Sequence, residues 1–270
     1  MSDLVAAEGE QKVVGADRVL AVLMELAEHP NGATLEELSL RLNSSKSTVH
    51  RALASLRRAR LASQVGRGIY VVGDDFIRLA FQNYSARSDS AQVGPALLAL
   101  SDLFGETAHY AVLEGSEVVY RAKRDPEAGA IRLTSVVGGR NPAYRTAVGK
   151  LLLSQVIATE AQLFDLYGDG ALPPRTRNTI TTLPALWDEL EQTRERGYGV
   201  DDQENEDGVN CIAVPISLTG GTSRRGAVSV SGLAFRTPLR VLIEKVQDIR
   251  GIVRDAEAWS TNDDGRGLRD

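Results

Sequence analysis

Residues Ser44–Leu61 read SSKSTVHRALASLRRARL. At the helical repeat, Val49, Leu53 and Leu56 fall on one face. Lys46, Ser47, His50, Arg51, Arg57 and Arg58 occupy the remainder. Between Ser45 and Arg67 the basic residues are Lys46, Arg51, Arg57, Arg58, Arg60 and Arg67, with no Asp or Glu among them. An ordinary solvated helix can carry such a surface, so the flanking segments decide its meaning.

Two helices are expected before it. The first spans Ala16 to His29, with Leu20, Leu23 and Ala27 on one side and Val19 and Leu26 beside them; Pro30 and Gly32 end it. Thr34 and Glu37 have capping-box spacing, opening a short helix with Leu35, Leu38 and Leu42 inward. Asn43-Ser44 turns the chain, and Ser44 or Ser45 caps the basic helix. This is the order of a helix-turn-helix, whose second helix enters the major groove by its N-terminal residues. Leu61–Val65 and Gly68–Val72 then read as two strands joined at Gly66-Arg67-Gly68, a wing with a cation at its tip. The DNA-contact candidates are therefore Ser45, Lys46, Ser47, Thr48, His50 and Arg51 at the helix start, and Arg67 on the wing. Thr34 is a further candidate, through its amide at the preceding helix N-terminus. The competing reading is capping plus solvated surface, above all for Thr34 and His50. Arg forks onto guanine, whereas Ser and Thr mainly position the backbone.

The chain has 270 residues and a net charge of −5. The acidic balance rules out a molecule coated in basic charge. It leaves room for a local basic patch, because attraction fades over roughly 10 Å in salt. The single cysteine, Cys211, excludes an intrachain disulfide and fits a reducing compartment. No signal-peptide core and no membrane-spanning run are evident, so a cytoplasmic protein is expected.

Residues 1–15 read as a flexible arm, 16–73 as the winged helix-turn-helix, and 74–90 as a linker helix with Phe76, Ile77, Leu79, Ala80 and Tyr84 on its apolar side. A helix over Ala91–Phe104 is expected to pair with its copy in a dimer. From Thr107 the period becomes two. Strands are expected over Thr107–Leu113, Glu117–Lys123, Ala130–Val137, Cys211–Ser217 and Gly226–Leu233, and helices over Ala147–Val156, Thr159–Tyr167 and Leu183–Arg196. Thr237 is expected to cap a final helix with Val241, Leu242, Val246 and Ile249 on its core face. Residues 91–260 thus form an α+β second domain, and 261–270 a disordered tail.

The ordered segments VGGRNPAYRTAVGKLLLS, RERGYGVDDQE, GVNCIAVPI and VSVSGLAFR, together with the winged unit, resemble the IclR family of bacterial transcriptional regulators. The resemblance covers residues 16 to 258. It implies a winged helix-turn-helix joined by a linker helix to a GAF-like α/β effector domain. It also implies a homodimer or dimer of dimers on a pseudo-palindromic operator of double-stranded DNA, under the control of a small organic acid. Position by position it assigns effector contacts to the amides of Ala147 and Val148 and to the side chains of Asp201, Cys211, Ser229 and Ser231. Amides at a helix N-terminus stabilise a carboxylate, and Ser229 and Ser231, two apart on a strand, face the same side. Asp202 is an alternative to Asp201, and a small buried hydrophobe is the alternative role for Cys211. The chain departs from the family at Ala143-Tyr144, where Leu-His is usual, and at Val148, which narrows or reshapes the pocket.

Enzymatic readings find little support. Gly149-Lys150 lacks the glycine-rich approach of a phosphate loop, no Gly-x-Ser-x-Gly elbow occurs, and His29, His50, His109 and Cys211 lack metal-ligand spacing. No catalytic residue, cofactor or metal is expected. A Cys211–His109 nucleophilic pair, and redox sensing through Cys211, are the rivals that the residues leave open.

Overall fold

In the computed structural model, α1 covers Gly15–Ala27 and buries Val22 and Leu26 completely. Its inward face is Val19, Val22, Leu23 and Leu26, while Leu20 and Ala27, expected inside, point out. The inward series keeps the helical spacing and offers larger side chains to the core. The structure describes residues 15–85, 88–127, 133–169, 172–218 and 225–263. The expected arm therefore lies outside the described residues, apart from Gly15.

Strand β1, Ala33–Thr34, leads into α2, Leu35–Arg41, and α3 spans Lys46–Arg58. Val49, Ala52, Leu53 and Leu56 of α3 are buried against α1 and α2. The wing is β2, Ala62–Val65, with β3, Ile69–Val72, joined through Gly66 and Gly68, both at positive φ, where glycine alone is unstrained. β1 adds a third strand by pairing Ala33 with Tyr70 and Thr34 with Ile69, which ties the start of α2 to the wing. Helix α4, Asp74–Ser85, follows. Residues 86 and 87 of the expected linker helix are outside the described set, and the next helix begins at Ser88. The chain divides here into two units, Met1–Ala86 and Arg87–Asp270.

The second unit runs α5 (Ser88–Phe104), β4 (Thr107–Glu114), β5 (Glu117–Arg124), β6 (Arg140–Pro142), a 3-10 turn over Ala143–Arg145, α6 (Ala147–Val156), α7 (Glu160–Tyr167) and α8 (Leu183–Arg196). It continues with β7 (Gly199–Asp202), β8 (Val209–Ser217), β9 (Arg225–Leu233), α9 (Leu239–Glu244) and α10 (Val246–Asp263). One antiparallel sheet has the order β6-β5-β4-β9-β8-β7. On one face Tyr110, Val112, Ile212, Val214, Val228 and Val230 meet α5 and α10. On the other, Ala111, Ala213 and Ala227 meet α6 and α8. The alternation of large and small residues along each strand sends bulk to one face and leaves room on the other. The fold is α+β.

Four expectations are corrected. No strand forms over residues 133–137; the carbonyls of Leu133 and Ser135 accept from Lys123 Nζ at 2.9 and 2.8 Å in place of a neighbouring strand, and residues 130–132 are outside the described set. Thr237 caps no helix: its hydroxyl donates to buried Glu106 at 2.6 Å, and Pro238 precedes α9. Val241 is exposed, so of the four expected residues Leu242, Val246 and Ile249 face the core, joined by Val253. Helix α10 runs on to Asp263, into the expected tail. Among the described residues, no helix is long and apolar enough to cross a membrane.

Candidate functional site

The start of α3 carries a cluster of hydroxyls. Ser45 caps it, accepting from the Thr48 amide at 3.3 Å, and its Oγ lies 3.0 Å from Ser47 Oγ and 2.9 Å from Thr48 Oγ1. Ser45, Ser47, His50 and Arg51 are exposed and Thr48 half-buried. Arg51 and Arg67 make no ion pair among the described residues, so both cations are free to meet phosphate or a base edge. Thr34 requires a correction: its amide donates to the Glu37 carboxylate at 2.7 Å while its hydroxyl accepts from the Glu37 amide at 3.2 Å. The capping box consumes the donor that a phosphate would need. The Thr34 amide, and then the Thr34 hydroxyl, donate to the Glu37 carboxyl and hold it below its ordinary range.

Lys46 is the second surprise. The stretch from Ser45 to Arg67 contains no acid, yet α2 brings Glu36 to within 2.9 Å of Lys46 Nζ. Sequence distance hides the pair; the tight turn between α2 and α3 creates it. Part of the charge of Lys46 is thus neutralised on the face expected to meet DNA. Replacing Glu36 by Gln is expected to tighten DNA binding about three- to tenfold and to steepen its salt dependence by up to about 0.9 in log–log slope. Fluorescence anisotropy in graded KCl reads both, and an unchanged affinity removes Lys46 from the interface.

In the second unit the four expected side chains share one sheet face. Asp201 pairs in register with Cys211, and Cys211 with Ser231; Ser229 lies between Ala213 and His109. The N-terminus of α6 lies over this face, where Gly199 permits the approach: a Cβ there would sit 2.0 Å from the Ala147 carbonyl oxygen. Thr146 Oγ1 caps the Gly149 amide at 3.0 Å, and the amides of Ala147 and Val148, the first two of the helix, have no capping partner among the described residues. Ser229 is 3% exposed, and no hydrogen bond among the described residues uses its hydroxyl. Cys211, on a strand flanked by β7 and β9, keeps accessible surface.

Asp201 is 2% exposed, whereas Asp202 is exposed. The Asp201 Oδ1 accepts from the amides of Glu204 at 2.7 Å and Asn205 at 3.3 Å, closing a turn in which Gln203 has φ +58°. Thr179 and Thr176, in the proline-bearing loop, donate to the carbonyls of Glu204 and Gln203 at 2.6 and 2.7 Å and fix that turn from outside. Beneath it, Lys150 pairs with Glu204 and, at 3.4 Å, with Glu189.

Burial, and then the charge of Glu204, push the Asp201 carboxyl up to about 7. The folded state therefore holds this proton more tightly than the unfolded chain. The stability it contributes is complete below about pH 4, is lost as pH rises to about 7, and is flat above. His109 runs the other way: burial, then Lys123, depress it to about 3. Its stability is present above its ordinary value of 6.5 and is lost as pH falls toward 3. Relative to wild type, the melting temperature of Asp201→Asn is expected to climb between pH 4 and 7 and then level off. Scanning fluorimetry in matched ionic strength shows the trend, and a pH-independent difference would refute the buried acid.

His109, weighed above as a metal ligand and as a partner for Cys211, pairs in register with Ser229: its Nε2 lies 2.8 Å from Ser135 Oγ and its Nδ1 3.5 Å from Ser231 Oγ, with its ring tilted on Tyr120 at 4.9 Å. Burial, then Asp201, push the Cys211 thiol well up. That environment disfavours the thiolate which both nucleophilic attack and peroxide sensing require.

Comparison with known proteins adds identity to this geometry. Residues 15–66 match the family described as the IclR helix-turn-helix domain, and residues 88–258 the one described as Bacterial transcriptional regulator IclR C-terminal. The Escherichia coli HTH-type transcriptional regulator KdgR is 34% identical over 245 residues, 88% of each chain. The E. coli DNA-binding transcriptional repressor YiaJ is 32% identical over 251 residues, again 88% of each chain. The crystal structure of Thermotoga maritima IclR is 28% identical with a TM-score of 0.69, covering 90% of this chain and 95% of that one.

Proposed function

The chain belongs to the IclR family of bacterial transcriptional regulators, and from that premise we propose that its operator binding is tuned by a small organic acid held beneath the N-terminus of α6. It is a DNA-binding regulator of transcription and not an enzyme, as its relatives are. One observation carries the effector reading. The uncapped amides of Ala147 and Val148 and the unused hydroxyl of Ser229 share a face with the accessible thiol of Cys211. Buried donors without partners cost about 1–3 kcal/mol each, and a carboxylate removes that cost. Ser231 and Asp201 supply further contacts for a hydroxyl or keto oxygen.

The DNA reading assigns Arg51 and Arg67 as free cations and Ser45, Ser47, Thr48 and His50 as the polar edge of the recognition helix, with Lys46 restrained by Glu36. The expected dimer helix, α5, spends Val93, Leu97 and Leu100 on the core of its own unit, so the homodimer reading moves to exposed apolar residues of the first unit. Leu20 and Met24 lie one turn apart on α1, and Ile77, Phe81 and Tyr84 form a stripe on α4 that solvent alone leaves unpartnered. A two-fold pair of winged units suits a pseudo-palindromic operator.

The test is anisotropy of the full chain on the DNA upstream of its own gene, in graded salt, with and without three- to eight-carbon organic acids. A log–log salt slope of about −0.9 per phosphate contact is expected, with at least one acid shifting the affinity. Binding that ignores every acid refutes the effector reading and leaves DNA binding standing.

A further inference from the structure

Arg145 precedes α6 by two residues and is half-buried, yet no carboxylate meets it among the described residues. Its Nε donates to Asn205 Oδ1 at 2.8 Å and its Nη2 to Asn141 Oδ1 at 3.5 Å, both neutral acceptors. Several other basic side chains of this unit meet carboxylates or backbone carbonyls. Lys150 meets Glu204 and Glu189, Lys123 meets Asp125 and two carbonyls, Arg121 meets Glu114, and Arg194 caps the carbonyls of Ser154 and Ile157. Arg145 is thus a guanidinium in a partly desolvated place with donors to spare.

Its surroundings connect it to the effector face. Asn141 Nδ2 donates a long bond of 3.4 Å to the Tyr120 hydroxyl, and that hydroxyl donates to no acceptor among the described residues. Asn141 thus joins the guanidinium to Tyr120, whose ring packs at 4.9 Å on His109 of the same sheet face. Asn205, which holds Nε, also donates its amide to Asp201. Both anchors of the guanidinium, Asn205 and Asn141, lie outside the α6 turn.

We propose that Arg145, assisted by the Tyr120 hydroxyl, is a specificity-determining residue that receives a second acidic group, so that the effector of this chain is a dicarboxylic acid. The inference rests on the effector reading above. One carboxylate takes the amides of Ala147 and Val148, and the other takes the planar fork of Arg145, for which a carboxylate is the matching bidentate partner. The Tyr120 proton completes the second set.

The experiment is calorimetric titration of the full chain with the dicarboxylates from succinate to suberate and with monocarboxylates of equal length, for wild type, Arg145→Gln and Arg145→Lys. Wild type is expected to bind its preferred diacid at least tenfold more tightly than the matching monoacid. Arg145→Gln should weaken the diacid at least tenfold and leave the monoacid within twofold, which also shows that the variant is folded. Arg145→Lys, keeping the charge without the fork, should fall between. Equal losses for both classes, or no loss in either, overturn the inference while monoacid binding upholds the effector site. Binding of neither class by wild type overturns both.

Discussion

Replacing Lys150 by Met is expected to destabilise the C-terminal unit by about 3–5 kcal/mol, the cost of stranding a buried charge by removing its partner. Lys150 is 1% exposed, and its ammonium is the counter-ion of Glu204, whose other oxygen, Oε2, is buried without a partner. Glu189 shares the same ammonium and also binds Arg196 at 2.6 Å, so Arg196 relieves that end. No second cation pairs with Glu204 among the described residues, and burial pushes its carboxyl up. The loss should therefore be recovered in large part by adding Glu204→Gln, a coupling expected between residues in one network. Denaturant unfolding followed by the fluorescence of Trp187 on α8 measures both variants. A single-variant loss below about 1 kcal/mol would show that water reaches the pair. Because Glu204 sits in the turn that Asp201 closes, the same variant should also weaken any effector.

Replacing Arg51 by Ala is expected to cost about 1–3 kcal/mol of operator affinity, the range for losing a fork onto a base edge. Arg51 is exposed, one turn into α3, and bound to nothing that would have to be displaced first. A base contact and a phosphate contact give different signatures: the first relaxes sequence preference at one position with little change in salt slope, the second lowers the slope by about 0.9 uniformly across sequences. Lys46→Ala should cost less than Arg51→Ala, because Glu36 already takes part of its charge. If Arg51→Ala binds its operator as tightly as wild type, α3 does not present this face to DNA.

The recognition helix, its cap, the wing and most strands of the second unit are legible in the chain, because each depends on local spacing: Val49, Leu53 and Leu56 at the helical repeat, Ser45 ahead of it, glycines at the wing. The failures share a cause. Leu20 and Val22 are equally good helix-face residues until a particular core chooses between them. Residues 133–137 look like a strand, but a lysine from β5 takes their carbonyls. Thr34 looks like a phosphate donor, but Glu37 is close enough to take its amide.

By itself the sequence determined which segments are helix and strand, where the cations cluster and to which family the chain belongs, since these follow from periodicity and from motifs in order. Only the tertiary structure decided which charges are free. Glu36 reaches Lys46 from another helix, Lys150 is claimed by Glu204 across 54 positions, and Arg145 is left among neutral amides. Whether a charge can act on a ligand depends on what lies within a few ångströms of it, where Coulomb energies are large, and sequence separation carries no information about that distance.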